Sequence, residues 1–230
     1  MNFIVGFVVN LAFGLLAYWK KSVSASGLWS GIAVGSLLYG FSGPQGFGLL
    51  AFFFIVASLL TRHGFSRKKA VGVAQPDEGK RGAKEALANC LPGLFFAFLL
   101  WRSGSGLLAV GLVSSFAAAL ADTTATELGQ LYGRKFFRLP NFRPVPVGTR
   151  GACSVAGTVF GILAACAMGI LGWLLGFFHV VGILWVVLGA TVGFMGESFF
   201  SRILMNHESR NFVGALLGGI SGMLFSRLLS

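Results

Sequence analysis

The sequence predicts an all-α, polytopic protein that crosses a membrane as a helical bundle. Three observations lead to this prediction. Of 230 residues, 55% are hydrophobic and only 11% are charged, whereas about a quarter of the residues in a soluble domain are charged. The mean hydropathy is +0.80. The apolar residues also form runs long enough to cross a bilayer, which takes about 20 residues. A soluble globular protein is therefore excluded.

The apolar runs define eight candidate spans, with seven as the alternative count. They lie at about 3–19, 27–43, 46–61, 85–101, 105–127, 152–176, 178–199 and 211–229. The second and third are short and joined by Gly43-Pro44-Gln45-Gly46, so they form either a tight hairpin or a re-entrant pair. We expect the first run to be a span and not a cleaved signal, because Lys20-Lys21 follow it instead of preceding it. One transmembrane domain over 1–230 is expected.

The basic residues are distributed asymmetrically between the two ends of these spans. In an eight-span topology, one side receives Lys20-Lys21 and the loops at about 62–84, 128–151 and 200–210. These segments carry 16 of the 18 Lys and Arg residues, and only Arg102 and Arg227 lie on the other side. Basic loops stay cytoplasmic. This predicts an integral protein of a cytoplasmic or inner membrane with both termini outside. All seven acids also gather at the cytoplasmic end, which is the expected active face.

Glycine spacing predicts close helix packing. The chain has 34 glycines, roughly twice the average usage. Many lie four residues apart in apolar runs, such as Gly189 and Gly193, or Gly214 and Gly218. Small residues at this spacing let helix backbones approach closely inside a membrane. The pattern predicts a compact bundle and does not point to an activity.

An acid pair closes the fifth apolar run, within Asp122-Thr123-Thr124-Ala125-Thr126-Glu127. Acids at this depth are costly, so they are functional candidates. At 100° per residue, Asp122 and Thr126 share one helix face, whereas Asp122 and Glu127 are about 140° apart. Both carboxylates reach one site only if the helix lies in a cleft or breaks. Carboxylates and hydroxyls are ligands for Mg²⁺, which often bridges to substrate phosphates. The alternative is that both acids pair with basic loops.

Two further segments combine basic residues, glycines and helix starts, a composition typical of phosphate binding. The first is Lys80-Arg81-Gly82-Ala83-Lys84-Glu85, followed by Asn89. The second contains Arg143, Gly148, Thr149, Arg150 and Ser154. Free N–H groups and the helix dipole favour an anion at a helix N-terminus, and arginine binds phosphate bidentately. The alternative is that these are ordinary positive-inside loops.

The seventh run ends in a similar way, with Glu197 and Ser198, and Asn211 opens the eighth. These groups form a candidate second metal or nucleotide contact. The alternative is that they only reach the membrane interface.

Several other sites are excluded. The sequence has no GxxxxGK[ST], GxSxG or HExxH motif. Its three cysteines and three histidines are scattered, which argues against a zinc site or a disulfide framework. Although the pI is about 10.3, the basic residues follow the topology, so we expect no polymeric nucleic acid as a partner.

Four runs together resemble one integral-membrane family, catalogued as domain of unknown function ninety-two, which includes plant phytyl-phosphate kinases of tocopherol and phylloquinone synthesis. The runs are Arg81-Gly82 with Asn89, Asp122-Thr123 with Glu127-x-Gly129, Pro146-x-Gly148-Thr149-x-Gly151 with Ser154 and Gly157-Thr158, and a terminal Glu-Ser…Asn-Phe stretch. The resemblance covers about residues 20–228. One departure is Glu197-Ser198, where relatives usually carry Asp-Ser.

The resemblance implies an enzyme that phosphorylates an isoprenyl monophosphate to the diphosphate with a nucleoside triphosphate, and similarity to polyprenol and dolichol kinases implies CTP. It places Asp122 and Glu127 at a Mg²⁺–phosphate centre, with these residues around it: Arg81, Asn89, Gly148, Thr149 and Ser154. Prenyl phosphate, nucleotide and the lipid bilayer are the implied partners, and the oligomeric state stays open. The alternative function is a transporter or flippase of lipid phosphates, which would place ionisable groups near the bilayer midplane.

Overall fold

The computed structural model describes residues 2–200 and 206–229, apart from the side chain of Glu197. The helices are α1 (Asn2–Trp19), α2 (Ala25–Arg62), α3 (Phe65–Ala70), α4 (Ala83–Ser103), α5 (Gly106–Tyr132), α6 (Val155–Leu174), α7 (Gly182–Phe200) and α8 (His207–Leu229). Within the described residues, all of these except α3 are long and apolar enough to cross a membrane. The prediction of an all-α transmembrane bundle is confirmed.

Helix α2 is a hairpin of two arms, 25–42 and 44–62. Gly43 breaks the helix with φ 63° and ψ −163°, a conformation open to glycine, and Pro44 suits the first position of the second arm. A Cβ on Gly46 would lie 3.2 Å from the carbonyl oxygen of Leu38. In a straight helix, eight residues would separate these groups by about 12 Å. The hairpin thus has two arms, which correspond to the apolar runs 27–43 and 46–61.

The two ends of the bundle are formed by different kinds of residue. At one end, which we call the loop face (residues 20–24, 62–82, 133–154 and 206), Arg62 donates to the carbonyl oxygen of Lys20 over 2.6 Å. At the other end, the terminal face, Phe3 packs on Phe41, and Phe41 packs on Trp101. The start of α1, the bend of α2 and the end of α4 therefore meet at the end of the bundle opposite the basic loops.

Helix α5 is the central helix. It packs against α4, α6, α7, α8 and α2, and most of its residues from Ala109 to Ala121 are fully buried. Glycines allow the neighbouring α7 and α8 to touch, since a Cβ on Gly193 would lie 2.5 Å from the carbonyl oxygen of Gly214. This contact is the close packing that the four-residue glycine spacing predicts.

Two features of the loop face differ from the sequence prediction. The segment 62–84 contains the six-residue helix α3, and the segment 128–151 is shorter than predicted because α5 continues to Tyr132. A small antiparallel sheet follows, formed by β1 (Phe137–Arg138), β2 (Arg143–Pro144) and β3 (Ala152–Cys153), in the order β2-β1-β3. The sheet ties residues 137–153 together beside the start of α6.

Candidate functional site

A cavity of about 270 Å³ opens at the loop face, between α5, α6, α7 and α8. Segments 73–75 and 148–153 form its outer walls. We call it the loop-face cavity. Of the residues expected at a site, it contains Asp122, Gly148, Thr149, Arg150, Ser154 and Ser198. It thus joins three of the predicted segments, which lie far apart in the sequence.

Asp122 brings a carboxylate into this cavity from α5. It is partly exposed, and Thr126, one turn later, lines the same cavity. The shared face follows from the helix period. Thr123 lies outside the lining, and its hydroxyl donates to the carbonyl oxygen of Ala119 over 3.0 Å.

Glu127 lies on a different face of α5 and does not line the cavity. It is 1% exposed and forms an ion pair with Lys68 of α3. Because α5 continues unbroken to Tyr132, the angular separation from Asp122 is preserved. The two carboxylates are therefore not brought together. Glu127 instead pairs with a basic residue of the segment 62–84, which was the alternative for this acid. Among the described residues, no three His, Cys, Asp or Glu side chains cluster as a metal site.

The start of α6 forms another wall of the cavity that contains Asp122. Ser154 caps this helix, and its Oγ accepts from the backbone N–H of Gly157 over 3.1 Å. Gly148 and Gly151 adopt positive φ values of 79° and 68°, so the loop folds tightly before the cap. The N-terminal end of α6 carries partial positive charge and suits a phosphate group.

Glycines set α6 directly against α5 at this point. A Cβ on Gly157 would lie 2.6 Å from the carbonyl oxygen of Ala125, and a Cβ on Gly129 would lie 3.2 Å from the Cα of Gly157. Backbone atoms cannot move aside as a flexible side chain can. The inner end of the cavity therefore depends on glycine at both positions.

Helices α7 and α8 complete the cavity. The Ser198 hydroxyl donates to the carbonyl oxygen of Gly151 over 2.6 Å, which fastens α7 to the loop. Arg210, only 7% exposed, lines the cavity with His207 one turn before it. Sequence reasoning did not select either residue as a site residue, although their three-residue spacing at a helix start places them on one face. The predicted side-chain role of Glu197 lies outside the described residues.

Cys153 also lines the cavity. Burial raises the pKa of its thiol, a hydrogen bond with Ser198 lowers it, and the charge of Asp122 raises it. The net shift is upward, so the thiol is protonated at neutral pH. The nucleophile is the thiolate, and Cys153 is therefore not a nucleophile under these conditions.

Arg81 belongs to a second polar cluster, beside α2 and α4. It is 6% exposed, and its Nη1 donates to Glu85 Oε1 over 2.5 Å. Its Nη2 lies 3.4 Å from Thr61 Oγ1, and Asn89 donates to the carbonyl oxygen of Glu85 over 3.0 Å. None of these residues lines the loop-face cavity. The structure thus separates the Arg81 group from the Asp122 group.

The remaining predicted residues lie outside the cavity lining as well. Lys84 and Arg143 are exposed, and Lys80 is partly exposed. Asn211 is buried, and its Nδ2 lies 3.5 Å from His207 Nε2, next to the cavity wall.

Comparison with known proteins places the chain among membrane proteins. It is 35% identical over 196 residues to the uncharacterized membrane protein sll0875 of Synechocystis, covering 81% of this chain and 74% of that protein. It is 30% identical over 220 residues to the chloroplastic protein VTE6 of Arabidopsis thaliana, covering 90% of this chain and 66% of VTE6. The uncharacterized membrane protein MJ0933 of Methanocaldococcus jannaschii is 32% identical over 229 residues, covering 96% of this chain and 92% of MJ0933. No solved structure matches the chain significantly.

The family assignment rests on nearly the whole chain. The sequence profile described as "Integral membrane protein DUF92" matches residues 8–211. This range contains α5, α6 and α7, the cap of α6, and the start of α8 with His207 and Arg210. The chain therefore belongs to the DUF92 family of integral membrane proteins.

Proposed function

We propose that this protein is a membrane-embedded kinase that transfers a phosphoryl group from a nucleoside triphosphate to a prenyl monophosphate at the cytoplasmic face. The observation that carries the proposal is the loop-face cavity, which is lined by both Asp122 and the capped start of α6. The family resemblance supports the same activity, because the family includes plant phytyl-phosphate kinases. It also favours CTP as the donor and a long isoprenyl phosphate as the acceptor.

The residues of the cavity are suited to phosphoryl transfer, which relies mainly on positioning and on positive charge around the developing anion. The N–H groups at the start of α6 are placed to bind phosphate oxygens of the nucleotide. Arg150 and Arg210 add positive charge to the cavity wall. An oxygen of the acceptor phosphate attacks the γ-phosphorus, and the bond from the γ-phosphorus to the bridging oxygen breaks. The products are a prenyl diphosphate and a nucleoside diphosphate.

The acceptor chemistry fits the residues present. A phosphate monoester already carries an anionic oxygen at neutral pH, so the attack needs no strong base. Among the described residues, His207 is the histidine that lines the cavity, and it lies one turn before Arg210.

Mg²⁺ fits the donor set around Asp122, since Mg²⁺ is usually held by one or two carboxylates together with substrate phosphates. Asp122 would hold the ion, with the Thr126 hydroxyl on the same face. When bound, the ion supplies positive charge to the nucleotide phosphates. Glu127 forms an ion pair with Lys68, so it is not included among the proposed Mg²⁺ ligands.

An assay on purified protein tests the proposal. The protein is incubated with phytyl or geranylgeranyl phosphate, each of the four common nucleoside triphosphates and Mg²⁺, and the diphosphate is measured. We expect diphosphate to form with CTP. In Asp122→Asn we expect the rate of diphosphate formation to fall roughly 100-fold, which is comparable to the loss of one transition-state contact. Asp77→Asn is the matched control, because Asp77 is exposed, outside the cavity, and at a positive φ that asparagine tolerates.

Two outcomes would count against the proposal. Absence of diphosphate with every combination would reject a kinase for these acceptors, and full activity of Asp122→Asn would remove Asp122 from the site. Movement of prenyl phosphate across a vesicle membrane without a triphosphate would favour the transporter alternative.

A further inference from the structure

Three neutral side chains of the loop-face cavity have no part in the proposed phosphate and metal contacts. The chain has three glutamines, Gln45, Gln75 and Gln130, and two of them, Gln75 and Gln130, line this cavity. Phe136 lines it as well. We call the group formed by Gln75, Gln130 and Phe136 the amide–aromatic end of the cavity.

Helix α5 sets the distance between this end and the proposed metal–phosphate centre. Asp122, Thr126 and Gln130 follow one another at four-residue spacing, and all three line the cavity. Eight residues of α-helix span about 12 Å, and Gln130 is the nearest of the three to the loop face, where α5 ends at Tyr132. An extended nucleoside triphosphate covers a similar distance from its γ-phosphate to its base. A nucleotide whose γ-phosphate lies near Asp122 therefore brings its base near Gln130.

The amides of Gln75 and Gln130 are open to a ligand. Both side chains are partly exposed, and neither makes a side-chain hydrogen bond within the described part of the chain. An amide has an oxygen that accepts and a nitrogen that donates, and the edge of a nucleobase likewise presents donors and acceptors side by side. Phosphate oxygens only accept, so the oxygen of an amide finds no donor beside them. The two amides therefore suit a base better than a phosphate.

Phe136 adds an aromatic surface next to the start of α6. A Cβ on Gly133 would lie 2.9 Å from Phe136 Cζ and 2.8 Å from Ser154 Oγ, so the ring and the helix cap meet at the same glycine. The backbone at Phe136 is held as well, because its carbonyl oxygen accepts from the N–H of Val145 over 3.0 Å. Every base has a face that can stack on an aromatic side chain. A base that packs on Phe136 is thus adjacent to the N–H groups that are proposed to bind the phosphates.

Gln75 reaches the cavity from a wall that is itself held in place. The backbone N–H of Val73 donates to the carbonyl oxygen of Lys68 over 3.0 Å, and a Cβ on Gly148 would lie 2.7 Å from Val73 Cγ1. The segment 73–75 therefore packs against the loop that precedes α6. Gln75 and Gln130 thus reach the same cavity from two independent elements, a loop and a packed helix.

We propose that the amide–aromatic end binds the nucleobase of the phosphoryl donor, with the base packed against Phe136 and its edge hydrogen-bonded to Gln130 and Gln75. This inference rests on the proposed function, since it concerns the nucleotide that the kinase uses. The Gln130 amide can turn end over end, so it matches a donor–acceptor pair in either order and holds any base. Gln75, on the loop, supplies the second contact, which distinguishes one base from another.

Equilibrium binding to the purified full-length chain, with Mg²⁺ and without a prenyl phosphate, tests this proposal. The probes are CTP, UTP, ATP, GTP and inorganic tripolyphosphate, which has the phosphates but no base. We expect at least one nucleotide to bind more tightly than tripolyphosphate by about tenfold or more, the contribution of one good base-edge contact. Equal affinity for tripolyphosphate and all four nucleotides would overturn the proposal, because the base would then add nothing to binding.

Substitutions at the amide–aromatic end provide the second arm of the test. In Gln130→Ala and in Phe136→Leu, nucleotide affinity should fall by about fivefold or more, whereas affinity for tripolyphosphate stays unchanged. Gln75→Ala should narrow the differences in affinity among the four nucleotides. Unchanged nucleotide affinity, or a parallel loss for nucleotide and tripolyphosphate, in both Gln130→Ala and Phe136→Leu would overturn the proposal. Unaltered differences in Gln75→Ala would reject the role of Gln75.

The chain offers a matched control for each kind of substitution. Gln45 is the third glutamine and is exposed at the bend of α2. Phe142 is 66% exposed and lies outside the cavity lining, in the same loop as Phe136. We expect Gln45→Ala and Phe142→Leu to bind nucleotides like the parent protein. A loss in either control equal to that in its counterpart would overturn the assignment of that counterpart.

The diphosphate assay separates a failure of this inference from a failure of the proposed kinase. In an active enzyme, Gln130→Ala should raise the KM for the nucleotide more than it lowers kcat, because the amide is remote from the transferred phosphoryl group. Nucleotide binding that depends on Gln130, without any diphosphate, would count against the kinase and keep the base site. Diphosphate formation with an unchanged KM in Gln130→Ala and in Phe136→Leu would reject the base site and keep the kinase.

Discussion

Lys68 and Glu127 form an ion pair in which neither side chain is more than 2% exposed. Lys68 Nζ also donates to the carbonyl oxygens of Leu60 and Thr61, the latter over 2.8 Å. The pair attaches α3 to the second arm of α2 and to α5. Residues 73–75, which follow α3, form one wall of the loop-face cavity. Glu127 is thus placed to hold a wall of the site.

Breaking this ion pair on one side should destabilise the protein strongly. Lys68→Met or Glu127→Leu alone leaves an uncompensated buried charge, which costs about 3–5 kcal/mol. The double variant removes both charges and should recover most of the stability, since apolar pairs replace buried ion pairs at little cost. Thermal unfolding followed by tryptophan fluorescence measures the difference. A double variant that is stable but inactive as a kinase would instead assign Glu127 a chemical role.

Contact between α5 and α6 should not tolerate a single added methyl group. In Gly157→Ala the new Cβ would meet the carbonyl oxygen of Ala125 at 2.6 Å. We expect the free energy of unfolding to fall by about 1–3 kcal/mol because of overpacking. Nucleotide binding should also weaken. Gly106→Ala, in open surroundings, should leave both properties unchanged. The free energy of unfolding and nucleotide affinity are the measurements, and equal behaviour of the two variants would contradict the contact.

The rate at which an alkylating reagent labels Cys153 should rise with pH over a higher range than for a free thiol. Burial raises the pKa of this thiol, and only the thiolate reacts with alkylating reagents. The rate should therefore rise with pH and level off above about 8.5, the value of a free thiol. Peptide mass spectrometry resolves this site from the other two cysteines, and Cys153→Ser is the control. A plateau below that value would show that the thiol is activated instead.

The two faces of the bundle should react with an impermeant thiol reagent from opposite sides of the membrane. Arg67 is exposed at the loop face, and Ser103 is exposed at the terminal face. In a Cys153→Ser background, we expect Arg67→Cys to be labelled only from the cytoplasm and Ser103→Cys only from outside, because basic loops remain cytoplasmic. Labelling of both from the same side would contradict the eight-crossing topology, and reversed sides would invert the orientation.

Local composition was sufficient to predict the spans. The length of each apolar run and the Gly43-Pro44 break do not depend on distant partners, so the hairpin of α2 could be anticipated. The helix period likewise placed Asp122 with Thr126 on one face.

Contacts between distant segments could not be predicted in this way. Lys68 reaches Glu127 because Gly64, at φ 61°, turns the chain into α3 and back towards α5. Arg81 and Asp122 lie at the same membrane face in the sequence pattern, but membrane topology does not specify which gap between helices each residue enters. Their separation into two clusters depends on the packing order of α2, α4 and α5, and no spacing in the sequence encodes that order.

The close contact of Gly129 with Gly157 has a consequence for how the site can vary among related proteins. Where two backbones touch, the shape of the cavity floor is independent of rotamers and of the side chains around it. In the proposed kinase, this floor would act as a fixed template for the phosphates shared by all nucleotides. Discrimination between bases or acceptors would then come from the adjustable rim, residues 73–75 and 148–153, whose loops can change without disturbing the packed helices.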